Sequence, residues 1–188
     1  MVSPAHAQEL DWEAALIERA RGGDTRAFER LYRSHIGRVY GLCLRLTREV
    51  AMAEDCAQET FINAWKALKR FETRSSLGTW LHRIAVNVVL AKRRGIAAAV
   101  QWVPQEGCDE DGRVVFDTPI EVREIEAAVS QLPEGARDAL VLCGLYGYTA
   151  SEAATMLGLA EGTCKAQLHR ARLLLRQRLD REGLSHVG

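Results

Sequence analysis

Basic side chains concentrate in the segment GTCKAQLHRARLLLRQRL, residues 162–179, which contains no acidic residue. Its cations are Lys165, Arg170, Arg172, Arg176 and Arg178. The whole chain is balanced, with 25 Lys and Arg residues against 25 Asp and Glu residues. Guanidinium and ammonium groups bind phosphate oxygens and the O6 and N7 atoms of guanine. A basic segment in a neutral chain therefore indicates a local surface for nucleic acid.

The residues before and within this segment predict a helix-turn-helix. Thr149 followed by Glu152 fits a capping box, so a helix is expected to begin there, and Gly158 can adopt the left-handed conformation that ends it. The second helix is expected to bury Cys164, Leu168, Ala171 and Leu175. Its outward residues would be Lys165, Ala166, His169 and Arg170. An ordinary amphipathic helix with a charged solvent face is the alternative.

A second cationic region runs from Lys66 to Arg94, with eight basic residues and a single acid, Glu72. Basic groups beside an aromatic side chain suit single-stranded DNA, because bases stack on the ring while phosphates bind the cations. Trp80 is the aromatic candidate here, and core packing is its alternative role. Asn87 is a candidate base reader, or a solvated helix residue.

An amphipathic helix, AEDCAQETFINAWKALKRF, carries acid and amide groups near its start at Glu54, Asp55, Gln58 and Glu59. Its inner side is predicted to comprise Cys56, Phe61, Ile62, Trp65 and Leu68. Acidic groups near a helix start are favoured by the helix dipole, which is one explanation. A docking face for a basic protein surface is the other, and the residues alone do not separate the two.

The remaining pattern predicts an all-α chain of two small helical domains joined by an acidic, flexible linker. The first domain is expected at residues 10–97 and the second at residues 120–182. Between them, residues 98–119 contain Pro and Gly and have no sustained helical period. Acids and bases are thus segregated along the chain, as expected for nucleic-acid-binding lobes separated by a connector.

Other functional classes find little support in the sequence. The five cysteines form no metal-ligand spacing; four lie in apolar helical patterns, where core packing is the main interpretation and a redox or metal role the alternative. Only Cys108 lies in a polar stretch. There is no nucleotide-binding motif, catalytic triad, signal peptide or membrane-spanning run. We therefore expect a cytoplasmic protein without catalytic residues, metal, cofactor, small-molecule substrate or membrane insertion.

The chain resembles the extracytoplasmic-function (ECF) group of bacterial RNA polymerase sigma factors. The segments AFERLYRSHIGRVYGLCLRLT, AEDCAQETFINAWKAL and TWLHRIAVN are similar to sigma region 2. The segment LPEGARDALVLCGLYGYTASEAATMLGLAEGTCKAQLHRAR is similar to region 4. The resemblance implies a transcription initiation factor that directs core polymerase to promoters through their −35 and −10 elements.

The resemblance also assigns roles to individual residues. Core-polymerase contacts, with the β′ clamp helices, are implied for Asp55, Gln58, Glu59 and Trp65. Recognition and melting of the −10 element are implied for Arg74, Ser75, Ser76, Trp80, Arg83, Asn87, Lys92, Arg93 and Arg94. Reading of the −35 element is implied for Thr163, Lys165, Ala166, His169, Arg170 and Arg172.

Further partners follow from the resemblance as well. They are promoter DNA, the β flap of polymerase and an anti-sigma factor, while the acidic linker would occupy polymerase channels with basic walls. Two rival functions account for less of the chain. A polymerase-independent helix-turn-helix regulator explains residues 120–182 but gives the Asp55, Gln58 and Glu59 face no task. A nuclease built on Glu54, Asp55 and Glu59 lacks a residue elsewhere to complete a site.

Overall fold

The computed structural model describes residues 4–95 and 121–181, with side chains described for residues 12–95 and 126–178. The helices are α1 Pro4–Arg21, α2 Thr25–Thr47, α3 Val50–Ala67, α4 Leu77–Arg93, α5 Glu121–Ser130, α6 Glu134–Leu140, α7 Ala150–Leu157 and α8 Glu161–Arg181. A 3₁₀ turn, Leu68–Arg70, follows α3, and a π-helical turn, Val141–Leu145, extends α6. No strand occurs in these ranges, so the all-α prediction is confirmed. The whole predicted linker, residues 98–119, lies outside the described residues, and Cys108 lies within it.

Helices α1–α4 form the N-terminal bundle, and α2 is its central element because it packs on α1, α3 and α4. The Asp24 side chain accepts hydrogen bonds from the backbone N–H groups of Arg26 and Ala27, at 3.0 and 3.1 Å, and so caps the start of α2. Apolar residues then recur on one side of the helix. Those buried are Ala27, Leu31, Val39, Leu42, Cys43 and Leu46.

Small residues line the inner side of α3 and let it approach its neighbours closely. Ala53, Ala64 and Thr60 are each fully buried, and Thr60 bonds back to the Cys56 carbonyl at 2.7 Å. The predicted inner position of Ile62 is wrong, since this side chain is 46% exposed. Because the alanines lie on the inner side, the buried face of α3 is slightly rotated from the face that its large apolar residues predict.

Helices α5–α8 form the C-terminal bundle, which packs mainly through α6 against α8 and α7 against α8. Cys164 and Ala171 of α8 are fully buried, and Val141 and Leu142 of the π-helical turn belong to the same buried cluster. The buried apolar residues of the two bundles form one continuous cluster. The C-terminal bundle therefore lies directly against the N-terminal bundle.

Among the described residues, no helix has both the length and the apolar composition needed to cross a membrane.

The central position of α2 leads to a stability prediction. Leu42 is fully buried, whereas Leu173 on α8 is 49% exposed. Leu42→Ala is expected to lower the free energy of unfolding by about 2–5 kcal/mol, because it removes buried methyl groups and leaves a cavity. The same change at Leu173 is the matched control, expected to stay within about 0.5 kcal/mol of wild type. Urea unfolding followed by circular dichroism measures both, and equal losses would contradict the assigned core.

Candidate nucleic-acid interface

The helix-turn-helix is formed by α7 and α8. The Thr149 hydroxyl accepts a hydrogen bond from the Glu152 backbone N–H at 3.2 Å, and a Glu152 carboxylate oxygen accepts one from the Thr149 N–H at 2.8 Å. This is the predicted capping box, and it starts α7. Gly158 ends the helix in the left-handed region, with φ 67°. Both of these predictions are confirmed.

Helix α8 presents its basic side outward. Cys164 and Ala171 face the core, with Leu168 and Leu175 partly buried beside them. The exposed residues of the predicted reading surface are Thr163, Lys165, Ala166, His169, Arg170 and Arg172. All six residues of that surface therefore face solvent. Their orientation is set by the cap of α7, the turn and the core contacts of α8.

Two cations of α8 have partners within the protein. Lys165 forms an ion pair with Glu161 one turn earlier, at 2.6 Å, which raises the pKa of Lys165 and keeps it charged. Exposed pairs of this kind are weak, so a DNA phosphate can replace Glu161. Arg178 instead donates to the Gln131 side chain at 2.7 Å, and so fastens α8 to the turn between α5 and α6.

Helix α4 carries the second candidate surface. Ser76 caps it by accepting from the Thr79 N–H at 3.1 Å. Asn87 and Arg94 are exposed, whereas Trp80 is 7% exposed and stacks near Phe71 with ring centroids 4.8 Å apart. Trp80 is therefore a core residue here and supports the helix.

The remaining residues of the predicted −10 set differ in accessibility. Arg74 is exposed and pairs with Glu72 at 2.9 Å, Ser76 is exposed, and Ser75 and Arg83 are partly exposed. Lys92 and Arg93 at the end of α4 are both engaged in ion pairs. The set is thus not one uniformly open surface.

The acid and amide groups of α3 face outward. The Asp55 side chain is 69% exposed and Gln58 is also exposed, while Glu59 is partly covered. Lys92 of α4 lies 3.7 Å from an Asp55 oxygen and 3.4 Å from a Glu59 oxygen. The predicted docking face and the end of the predicted DNA-reading helix are therefore adjacent.

Trp65, also predicted to contact polymerase, is partly buried. Its ring lies against Phe28 of α2, with centroids 4.8 Å apart. Phe28 in turn meets Phe61 edge-on at 6.5 Å. This aromatic contact holds the end of α3 on α2.

An electrostatic contact between the bundles was not foreseen from the sequence. Arg93 donates to both carboxylate oxygens of Asp138 on α6, at 2.6 and 3.2 Å, and also to the Leu46 carbonyl at the end of α2. Arg137 donates to the same Leu46 carbonyl at 2.9 Å. We call these four groups the interdomain clasp. Its signal in the sequence is the charged pair Arg137–Asp138 within the apolar run ARDALVLC.

The side chains of the clasp are largely buried. The side chains of Arg137 and Asp138 are each 5% exposed, and that of Arg93 is 14% exposed. Burial raises the pKa of Asp138, while the hydrogen bond and charge of Arg93 oppose that rise. The two guanidinium groups beside it favour the ionised form of the carboxylate.

Two tyrosines of the C-terminal bundle pack against α4. The Tyr148 hydroxyl is 2.9 Å from the Nδ1 atom of His82, and the Tyr146 ring meets the His82 ring edge-on at 5.0 Å. Burial raises the pKa of Tyr148, while Thr79, one turn before His82, also lies close to the Tyr148 hydroxyl and lowers that pKa. The start of the helix-turn-helix thus rests on the predicted −10 helix.

Comparison with known proteins agrees with this architecture. The family model for sigma-70 region 2 matches residues 31–97, and that for sigma-70 region 4 matches residues 122–175. The RNA polymerase sigma-H factor of Pseudomonas aeruginosa is 30% identical over 181 residues, which cover 88% of this chain and 91% of that protein. The ECF RNA polymerase sigma factor SigM of Mycobacterium tuberculosis is 32% identical, covering 87% and 82%. The chain belongs to the ECF sigma factors.

The fold agrees with this membership. The structure of CnrH in complex with the cytosolic domain of CnrY has a TM-score of 0.60 and 26% identity, and the match covers 90% of this chain and 97% of CnrH. The N-terminal bundle therefore contains sigma region 2, and the C-terminal bundle contains region 4. Sigma factors are a class of non-enzymatic transcription factors.

The His82 contact predicts that acid weakens the docking of the two bundles. Burial, together with the nearby His35 and Arg38 of α2, lowers the pKa of His82 to about 4. The other groups facing it are Tyr146 and Tyr148, with Arg83 next to it on α4. Docking requires the neutral imidazole of His82. The free energy that His82 contributes to docking is therefore complete above the ordinary pKa of about 6.5 and is lost as pH falls toward 4.

Near pH 5 we expect docking to weaken by about 1–2 kcal/mol. Small-angle X-ray scattering should then show a larger radius of gyration than at neutral pH. The variant His82→Gln keeps a polar side chain without a titrating ring, so its radius should change less between the two pH values. A wild-type radius that is constant over this interval would contradict the prediction.

Proposed function

We propose that this chain is a transcription initiation factor that binds core RNA polymerase and directs it to promoters through −35 and −10 elements. The observation that carries the proposal is the pairing, in one chain, of a region 2 fold with an acidic outward α3 face and a region 4 helix-turn-helix with a basic outward α8. The α3 face binds protein and α8 binds DNA, and promoter selection requires both contacts.

Region 4 is assigned to the −35 duplex. A recognition helix enters the major groove with its outward residues against base edges. Arg170 and Lys165 are placed to bind guanine or phosphate, and His169 can donate to either. Arg172 and Thr163, at the edges of the same exposed side, are assigned to the phosphate backbone, and Ala166 allows the helix to approach the bases closely.

The α3 face is assigned to core polymerase. Asp55 and Gln58 are exposed acceptors on successive turns, and Glu59 extends the face toward α4. A basic surface on the β′ clamp helices is complementary to this set. Trp65 contributes mainly by holding α3 on α2, and the β flap is assigned to region 4.

Helix α4 and the turn before it are assigned to the −10 element. Asn87, Arg94 and Arg74 are exposed and can meet an unstacked base and its phosphates directly. Ser75, Ser76 and Arg83 lie at the start and along the side of the helix, and Trp80 supports it from within. Lys92 and Arg93 must leave their ion pairs before they can bind DNA.

Further parts of the proposal follow from family membership. The protein acts in the cytoplasm, needs no cofactor and has no catalytic activity of its own. Residues 10–97 and 120–182 are its working domains, with 98–119 as connector. CnrH was determined in complex with CnrY, and by analogy we assign this chain an anti-sigma partner that covers its polymerase-binding surfaces. The polymerase-independent regulator is disfavoured because it gives region 2 no role.

Run-off transcription with core polymerase tests the docking face. On a pool of promoters from the source genome, the wild-type protein should yield specific transcripts. The variant Asp55→Ala/Gln58→Ala/Glu59→Ala should lose at least about 90% of them, because truncating several charged contacts at one interface costs a few kcal/mol. The matched control, Glu18→Ala/Glu29→Ala, also removes two exposed carboxylates and should retain activity.

The outcome also separates the rival function. Sequence-specific duplex binding by the protein alone, without polymerase-dependent transcripts, would favour a polymerase-independent regulator. If the triple variant and the control were equally active, α3 would not be the docking face, but the family assignment would stand.

The −35 assignment makes a separate prediction. Arg170→Ala should reduce transcription about tenfold or more at promoters that depend on their −35 element, because one base contact of this kind is worth about 1–3 kcal/mol. Arg33→Ala removes an equally charged side chain that is 75% exposed on α2, and it should have little effect. At promoters whose −35 sequence is mutated, wild type should no longer give more transcript than Arg170→Ala. If that preference persists, Arg170 does not read the element.

A further inference from the structure

The recognition helix begins with a carboxylate that lies outside the predicted −35 set. Glu161 is the first residue of α8, and its side chain is 48% exposed. Its neighbours Ala160, Gly162 and Thr163 are exposed as well. A Cβ atom added at Gly162 would meet nothing within 4 Å, so there is open space around this end of the helix. The end of α8 that points into a major groove is therefore open and carries an acid.

Glu161 continues one row of the predicted reading surface. Lys165, His169 and Arg172 follow it at spacings of four, four and three residues, which place side chains along one side of a helix. The Lys165 Nζ atom lies 2.6 Å from Glu161 Oε1. The hydrogen bond and the charge of Lys165 lower the pKa of Glu161. Glu161 is therefore an ionised group that can only accept hydrogen bonds.

The stabilising effects of this carboxylate on the free protein do not depend on DNA sequence. An acid in a first turn is favoured by the helix dipole, and an ion pair of this spacing adds slightly to helix stability. Against DNA the same carboxylate is unfavourable, because it faces a polyanion. That repulsion is offset where the carboxylate accepts a hydrogen bond from a base.

Base edges differ sharply in what they offer to such an acceptor. In the major groove, cytosine N4 and adenine N6 are amino donors, whereas guanine O6 and N7 and thymine O4 are acceptors. Glu161 should therefore bind an amino base and disfavour guanine and thymine, while Lys165 favours guanine. Four helical residues rise about 6 Å and successive base pairs about 3.4 Å. The two side chains thus reach base pairs one or two steps apart.

We propose that Glu161 is a specificity-determining residue of the −35 contact, which accepts a hydrogen bond from the exocyclic amino group of a cytosine or adenine. The inference rests on the proposed function, because it adds a residue and a class of base to the −35 surface. In the free protein, the ion pair holds both long side chains on the reading side of α8. Less side-chain freedom is then lost when the two residues bind bases.

Run-off transcription with core polymerase tests this base preference. The templates carry each of the four bases in turn at every position of the −35 element. At one position, we expect wild type to give about fivefold or more transcript with an amino base than with guanine or thymine. Glu161→Ala should reduce this ratio to below about twofold at that position and leave the ratios at the other positions unchanged.

Base analogues test the amino group itself. Replacing a preferred cytosine by 2-pyrimidinone, or a preferred adenine by purine, removes the exocyclic amino group. Transcription by wild type should fall about fivefold on the analogue template. Transcription by Glu161→Ala on the same pair of templates should stay nearly constant, which controls for the altered base pairing. The two analogues also separate cytosine from adenine as the base that is read.

Two further variants separate base reading from helix stability. Glu29→Ala breaks a matched exposed ion pair, Glu29–Arg33, which has the same spacing and the same 2.6 Å separation on α2, and it should keep every base ratio. Glu161→Gln keeps the length and one acceptor oxygen but loses the charge and gains donors. It should therefore support transcription while discriminating less against guanine and thymine. Circular dichroism verifies that each variant is folded.

Three results would overturn the proposal. They are a wild type without an amino-base preference at any −35 position, base ratios in Glu161→Ala that equal those of wild type, and a uniform fall of transcription on all templates. The last result is the one that a purely helix-stabilising role produces. A wild-type protein that yields no promoter-specific transcripts would instead be a failure of the proposed function, so the two failures are distinguishable.

Discussion

The arrangement of the two bundles depends on how a buried charge is satisfied. The last turn of α2 leaves the Leu46 carbonyl without a helical partner, and two guanidinium groups, Arg93 and Arg137, donate to it. Asp138 balances their charge within the same buried contact. Removing one member of such a group leaves another buried without compensation, which typically costs about 3–5 kcal/mol. The clasp therefore favours the orientation in which Arg93 and Arg137 meet Asp138 and the Leu46 carbonyl.

This constraint links stability to function in an ECF sigma factor. Arg93 is buried in its ion pair with Asp138, so it is less accessible to DNA than the exposed cations of α8. The neutral total charge has a related effect, because it limits attraction to DNA at large.

The individual helices show why the accuracy of prediction varied. The capping box at Thr149 and Glu152, the left-handed Gly158 and the buried side of α8 were all correctly predicted, since each follows from contacts between residues three or four positions apart. Ile62 was misplaced because the alanines of α3, which are weak signals of burial in a sequence, pack more closely than large side chains and rotate the buried face. Trp80 had two interpretations, and its contact with Phe71 selects the core.

The sequence by itself determined the helices, their caps, the outward residues of α8 and, through its two family motifs, the class of protein. These depend on local periodicity and on side-chain type. Only the tertiary structure decided that Arg93 and Lys92 are paired with carboxylates, that His82 lies beneath two tyrosines and that α4 has a covered side. The partners of Arg93 and His82 are 45 and 66 residues away along the chain. Such contacts are set by the docking of whole bundles, which no short-range pattern specifies.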